Sequence, residues 1–154
     1  MKARTTLLAL AICLVGVTAC YAADNNEGSF KLNEAKSKIP AGSFKNTSVV
    51  YTAEGDQYKC VVEGVDGSGQ PLHNEWTGKF DGKDYAVTGD PTSDTRAMLK
   101  TSNTHYKLTS KKDGKTVMTG TVDFSADGKT RTLVVHSKDA NGKSVTSKAV
   151  YDRE

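Results

Sequence analysis

From residue 66 onward the chain is punctuated by five Asp-Gly or Asn-Gly dipeptides: Asp66-Gly67, Asp81-Gly82, Asp113-Gly114, Asp127-Gly128 and Asn141-Gly142. Such pairs supply the left-handed backbone that tight hairpin turns require. They fall 15, 32, 14 and 14 residues apart, and the longest interval contains further breakers at Gly89-Asp90-Pro91 and Ser102-Asn103. A chain interrupted this often leaves little room for long helices, so the turns predict a meander of hairpins.

The segments between the breakers agree with this. Runs 28 to 33, 46 to 53, 57 to 65, 71 to 80, 84 to 88, 95 to 101, 104 to 111, 115 to 124, 129 to 138 and 143 to 152 are rich in Thr, Val and Tyr and read as strands. Only residues 33 to 38 suggest a helical turn, with Asn33 as its cap and Pro40 beyond it. Period-two alternation places Leu72, Asn74, Trp76, Gly78 and Phe80 on an inner face, opposite His73, Glu75, Thr77 and Lys79. The same reading turns Tyr58, Cys60, Val62, Tyr106, Leu108, Met118, Val122, Phe124, Val145, Ala149 and Tyr151 inward. Run 129 to 138 is ambiguous, because Leu133 and Val135 oppose Val134.

Composition decides what such strands can build. Residues 1 to 22 hold 16 of the 56 apolar residues, which leaves 40, about 30%, in the other 132. That supply covers one face of each strand and one modest core. Ten antiparallel runs joined by tight turns suit an all-β, up-and-down meander of about 8 to 10 strands that closes into a β-barrel and so removes its exposed edges. An open two-sheet sandwich is the alternative, although it more often uses long Greek-key connections.

The N-terminus reads as an export signal: Met1 to Arg4 is positively charged, Leu7 to Val17 is apolar, and small residues follow. Its apolar stretch is too short to cross a bilayer as a helix. Two cleavage positions fit. Val17-Thr18-Ala19-Cys20 resembles a bacterial lipobox, which would remove residues 1 to 19 and make Cys20 the lipidated first residue. Cleavage after Ala22 would instead make 1 to 22 the signal peptide and 23 to 154 the soluble body. Either outcome places the protein in the cell envelope, as a membrane-anchored lipoprotein or as a soluble periplasmic or secreted protein. Cys13 lies in the leader and Cys60 is then the one cysteine of the body, so no intramolecular disulfide is expected and Cys60 reads as a small buried hydrophobe.

Without the leader the chain has 19 cations against 18 acids, interspersed along its length, which argues against nucleic acid as a partner. Sixteen of those cations are lysines and three are arginines: Arg96, Arg131 and Arg153. His73, His105 and His136 lie 32 and 31 residues apart without the paired spacing of metal ligands. No Gly-x-Ser-x-Gly elbow is present, and no nucleophile can be placed beside a base. The sequence therefore implies neither an enzyme nor a cofactor.

Gly28-Ser29-Phe30-Lys31-Leu32-Asn33 resembles the first strand of lipocalin-like proteins, with Phe30 standing where a tryptophan packs across the barrel base. Together with Asn74 to Gly82 and the terminal Ala149-Val150-Tyr151-Asp152, the body is similar to small exported bacterial proteins of unknown function with a lipocalin-like, calycin-type barrel. The resemblance implies a monomer that binds a small hydrophobic or amphipathic molecule and touches a membrane only through an anchor on Cys20. Its candidate wall contains Tyr58, Trp76 and Tyr151, beside Tyr51, Met118, Phe124, Gly78, Ala97 and Ala149. Arg96 or Arg131 would anchor a ligand carboxylate, as buried arginines do in lipocalin-like and fatty-acid-binding proteins, whereas the outer face is the ordinary place for an arginine. The competing reading is a solid barrel acting as an envelope structural or interaction protein. Its loops, above all residues 88 to 96, would then bind a protein or a glycan.

Overall fold

A computed structural model describes residues 26–139 and 141–154. The segment read as an export signal, with both expected cleavage positions and Cys20, lies outside the described residues. Ten strands follow one another: β1 (Gly28–Leu32), β2 (Lys45–Glu54), β3 (Gln57–Val65), β4 (Pro71–Gly78), β5 (Tyr85–Thr88), β6 (Thr95–Lys100), β7 (His105–Lys112), β8 (Lys115–Phe124), β9 (Thr130–Lys138) and β10 (Ser144–Arg153). Each pairs antiparallel with the next, and β1 pairs with both β2 and β10, so the sheet closes on itself. The protein is an all-β, up-and-down, ten-stranded closed barrel, which excludes the open sandwich. The one helical element among the described residues is a 3-10 turn at Glu34–Lys36, where the Asn33 side chain accepts the Lys36 N–H at 3.1 Å.

Four of the five turn dipeptides carry the expected positive φ, at Gly82, Gly114, Gly128 and Gly142. The fifth is a correction. In the β3–β4 turn the positive φ falls on Gly69, while the Asp66 carboxylate accepts the Ser68 and Gln70 N–H groups at 2.8 and 2.9 Å. Gly67 instead lies against the Gly42 backbone, where a Cβ would overlap the carbonyl. Its missing side chain lets two connections at the same end of the barrel touch.

The meander gives the barrel two unlike ends. The β1–β2, β3–β4, β5–β6, β7–β8 and β9–β10 connections surround one end, the mouth, and the remaining connections surround the other, the base. At the base the inward positions are aromatic. Phe80, carried on the β4–β5 connection, stacks on Tyr58 with ring centres 4.6 Å apart and meets Tyr106 at 5.0 Å and Trp76 at 6.0 Å. Tyr106 continues to Phe124 at 5.7 Å, and Phe124 to Phe30 at 5.6 Å. The Arg153 guanidinium lies 4.6 Å over the Phe30 ring and donates to the carbonyls of Gly128, at 2.6 Å, and Glu27. Base closure is thus aromatic packing sealed by one cation.

Candidate binding cavity

Above the aromatic base the barrel is hollow. The cavity measures about 340 Å³ and opens at the mouth, a volume within the roughly 300–1,000 Å³ of small-molecule sites. Its walls come from the inward phase of several strands: Val49 on β2, Val62 on β3, Leu108 on β7, Leu133 and Val135 on β9, Ala149 on β10. The ambiguity in β9 resolves in favour of Leu133 and Val135, and Arg131 shares their phase. Phe44, 47% exposed on the β1–β2 connection, borders the opening.

The structure gathers some of the expected site residues and separates others. Arg96, Arg131 and Tyr151 all line the cavity, along with Tyr51, Met118 and Ala149. Tyr58 and Trp76 do not line it. Both belong to the base, Tyr58 stacked on Phe80 and Trp76 packed between Phe80 and Tyr85. Phe124 belongs there too, and so does Gly78, which lies against the Trp76 and Tyr85 rings. Ala97 falls on the face of β6 opposite to Arg96 and Met98. Alternation had placed the two wall aromatics inside correctly; it carries no information on height along the barrel, and they lie below the hollow part. Trp76 still supports the site from beneath, since its indole N–H donates to the Arg96 carbonyl at 3.0 Å.

The ordinary outward placement fails for both interior arginines. Arg131 is 4% exposed and enters the cavity from its base side, opposite Phe124 in register, its guanidinium 4.9 Å from the Tyr151 ring and 5.8 Å from the Tyr51 ring. Its Nε and Nη1 have no hydrogen-bond partner, and among the described residues it forms no ion pair. The groups around it are neutral. Burial pushes the Tyr51 and Tyr151 phenols above their ordinary range, and it raises the Cys60 thiol against the opposing pull of Arg96 and Arg131. An arginine stays protonated under all ordinary conditions, so the floor carries a positive charge without a counter-charge.

Arg96 is arranged differently. Its Nη2 lies 3.6 Å from Asp90 Oδ2 and 3.4 Å from Asn74 Oδ1. Asp90 was missing from the expected site, since an Asp-Pro-Thr-Ser run reads as turn chemistry. It does make a turn, accepting the Thr92 N–H at 2.8 Å, the Thr92 hydroxyl at 2.7 Å and the Ser93 hydroxyl at 2.7 Å. Burial would raise its pKa, yet those hydrogen bonds and Arg96 outweigh it and hold the carboxyl below its ordinary value. The segment that the competing reading takes as a contact loop borders the opening: Asp90, Pro91 and Thr92 line the cavity, with Pro91 and Thr92 exposed.

The histidines lie on separate stretches of the outer wall. His73 sits between Glu63, at 2.6 Å, and Glu75, at 3.3 Å, His105 contacts Asp123, and His136 contacts Thr146 at 2.9 Å. Both flanking carboxylates favour the charged ring, so the pKa of His73 is raised. Cys60 is a buried free thiol on the cavity wall.

Such an arrangement can take up an anion. A carboxylate accepts two N–H groups from a guanidinium in a planar fork, and such charge-assisted bonds are about twice as strong as neutral ones. The aliphatic walls above suit a hydrocarbon tail. In comparisons with known proteins, no family model matches the chain, and no curated protein matches it at a significant level.

Proposed function

We propose that the protein is an exported, non-enzymatic carrier of a small amphipathic acid, held with its carboxylate on Arg131 and its tail toward the mouth. One observation carries this reading: a buried arginine with two unpartnered guanidinium nitrogens, Nε and Nη1, and no counter-ion forms the floor of a 340 Å³ cavity with largely aliphatic walls. A buried charge without a partner is costly to a fold, and a ligand anion is the group that would offset that cost. The kinship with lipocalin-like proteins belongs to the same proposal, and it is supported by the closed meander and by Phe30, from Gly28-Ser29-Phe30, packed in the base under Arg153. Export, and an anchor on Cys20, rest on the N-terminal sequence pattern. The intact mass of the mature protein from membrane and soluble fractions reads the cleavage site, the acyl chains and any retained ligand together.

Calorimetric titration of the mature protein with dodecanoic acid tests the carrier reading. Arg131→Met keeps the volume and removes the charge. It is expected to weaken binding by the worth of a charged hydrogen bond, about 1.5–3 kcal/mol or roughly 10- to 150-fold. Its stability should be unchanged or raised, because an unpaired buried charge is gone. Failure of the wild-type protein to bind dodecanoic or neighbouring chain lengths, or equal binding by the variant, would overturn the proposal.

A further inference from the structure

The two cavity arginines differ in charge balance, and the difference specifies the ligand beyond its acid group. Arg131 lacks a counter-ion, whereas Arg96 is matched by Asp90, with both side chains 12% exposed. The Arg96–Asp90 pair is neutral as a unit, so it offers no attraction for a second acid. It does offer unused hydrogen-bonding capacity. Arg96 Nε has no partner, and the Asn74 contact at 3.4 Å is long for a hydrogen bond. A bare hydrocarbon chain passing this cluster would leave the donor unsatisfied, while a hydroxyl could accept from Arg96 and donate to Asp90 or Asn74.

We infer that the ligand is a hydroxylated amphipathic monoacid, its carboxylate on Arg131 and its hydroxyl on the Arg96, Asn74 and Asp90 cluster. This rests on the carrier reading above. A second carboxylate in place of the hydroxyl would meet the Asp90 charge and be repelled.

Calorimetry with the mature protein, using dodecanoic acid, the positional series of monohydroxydodecanoic acids and dodecanedioic acid, separates the possibilities. At least one hydroxy isomer should bind about tenfold or more tighter than the parent acid, since a site built to bond a hydroxyl discriminates strongly against its absence. The diacid should bind less tightly than the parent. In Arg96→Met the ratio of hydroxy to parent affinity should fall to about one. Asn74→Leu, which leaves the Arg96–Asp90 pair in place, should lower that ratio independently. If dodecanoic acid binds but every hydroxy isomer stays within about threefold of it, this inference is overturned and the carrier reading stands. The same holds if the preference survives both substitutions. If none of the acids binds, both fall.

Discussion

Base and mouth are built from the same ten strands with the same alternation, yet one end is packed and the other is hollow. Strand number explains why both are not solid. About eight strands enclose a space that side chains can just fill, and this barrel has ten. Around the cavity most inward residues are Val, Leu, Met, Ala and Ser, too short to meet across that width, and the larger ones, Tyr51, Tyr151, Arg96 and Arg131, do not fill it. At the base they are rings, and even these are completed by Phe80, which comes from a connection and not from a strand. Interior filling in a wide barrel thus needs aromatic residues together with a plug from outside the strands. The hollow part has no such plug, and its two inward rings, Tyr51 and Tyr151, flank the Arg131 guanidinium.

Truncation gives the largest expected effect and the clearest way to break this contrast. Phe30 is fully buried between Phe124 and Arg153, and Phe30→Ala should destabilise the protein by about 3–5 kcal/mol in urea denaturation. Met118 borders the existing cavity and already lacks neighbours on that side, so Met118→Ala should cost only about 1 kcal/mol. Equal losses would mean that the hollow end is as tightly packed as the base.

Added atoms sharpen the same contrast with a smaller effect. A Cβ at Gly78 would lie 2.6 Å from the Tyr85 ring and 2.7 Å from that of Trp76. Both rings are confined by their neighbours, so Gly78→Ala should cost about 1–3 kcal/mol. Ala149→Val adds two methyl groups where the cavity has room. It should change stability by less than about 1 kcal/mol while lowering affinity for dodecanoic acid. Thermal melts with calorimetry on both variants read the two halves side by side.

Strand positions were legible because turn dipeptides and period-two alternation act locally: nine of the ten runs end within one residue of their observed limits, and the tenth, 71 to 80, loses Lys79 and Phe80 to the Phe80 plug. Height along the barrel was not legible. It depends on strand tilt and stagger, which are properties of the closed sheet, and so Tyr58 and Trp76 were assigned to the correct face and the wrong level. The arginines were legible in principle. Arg131 is in phase with Leu133 and Val135, and Arg96 with Met98, but the general rule that arginines face water outweighed the phase. Asp90 had no such signal, because its inward turn depends on Arg96, which lies six residues away and across the β5–β6 connection.

The smallest expected effect concerns the mouth alone. Asp90 holds the 89–94 segment by accepting from Thr92 and Ser93 and by its ion pair with Arg96, and its carboxyl lies below the ordinary value of 3.8. A depressed folded pKa means that its stabilisation is complete above the unfolded value and is lost as pH falls through the folded one. Amide-exchange protection in residues 89 to 94 should therefore hold from pH 6 to about pH 4 and decline below it. Exposed carboxylates near the base, such as Asp127 and Asp152, are also held low by their hydrogen-bonding neighbours. They face water and contribute a weak, salt-screened background. Asp90→Asn separates the two, because it removes the acid step in 89 to 94 and leaves that background in place. A step of equal size in the variant would show that the mouth loosens with the whole barrel, and the division into a rigid base and a separately held mouth would then fail.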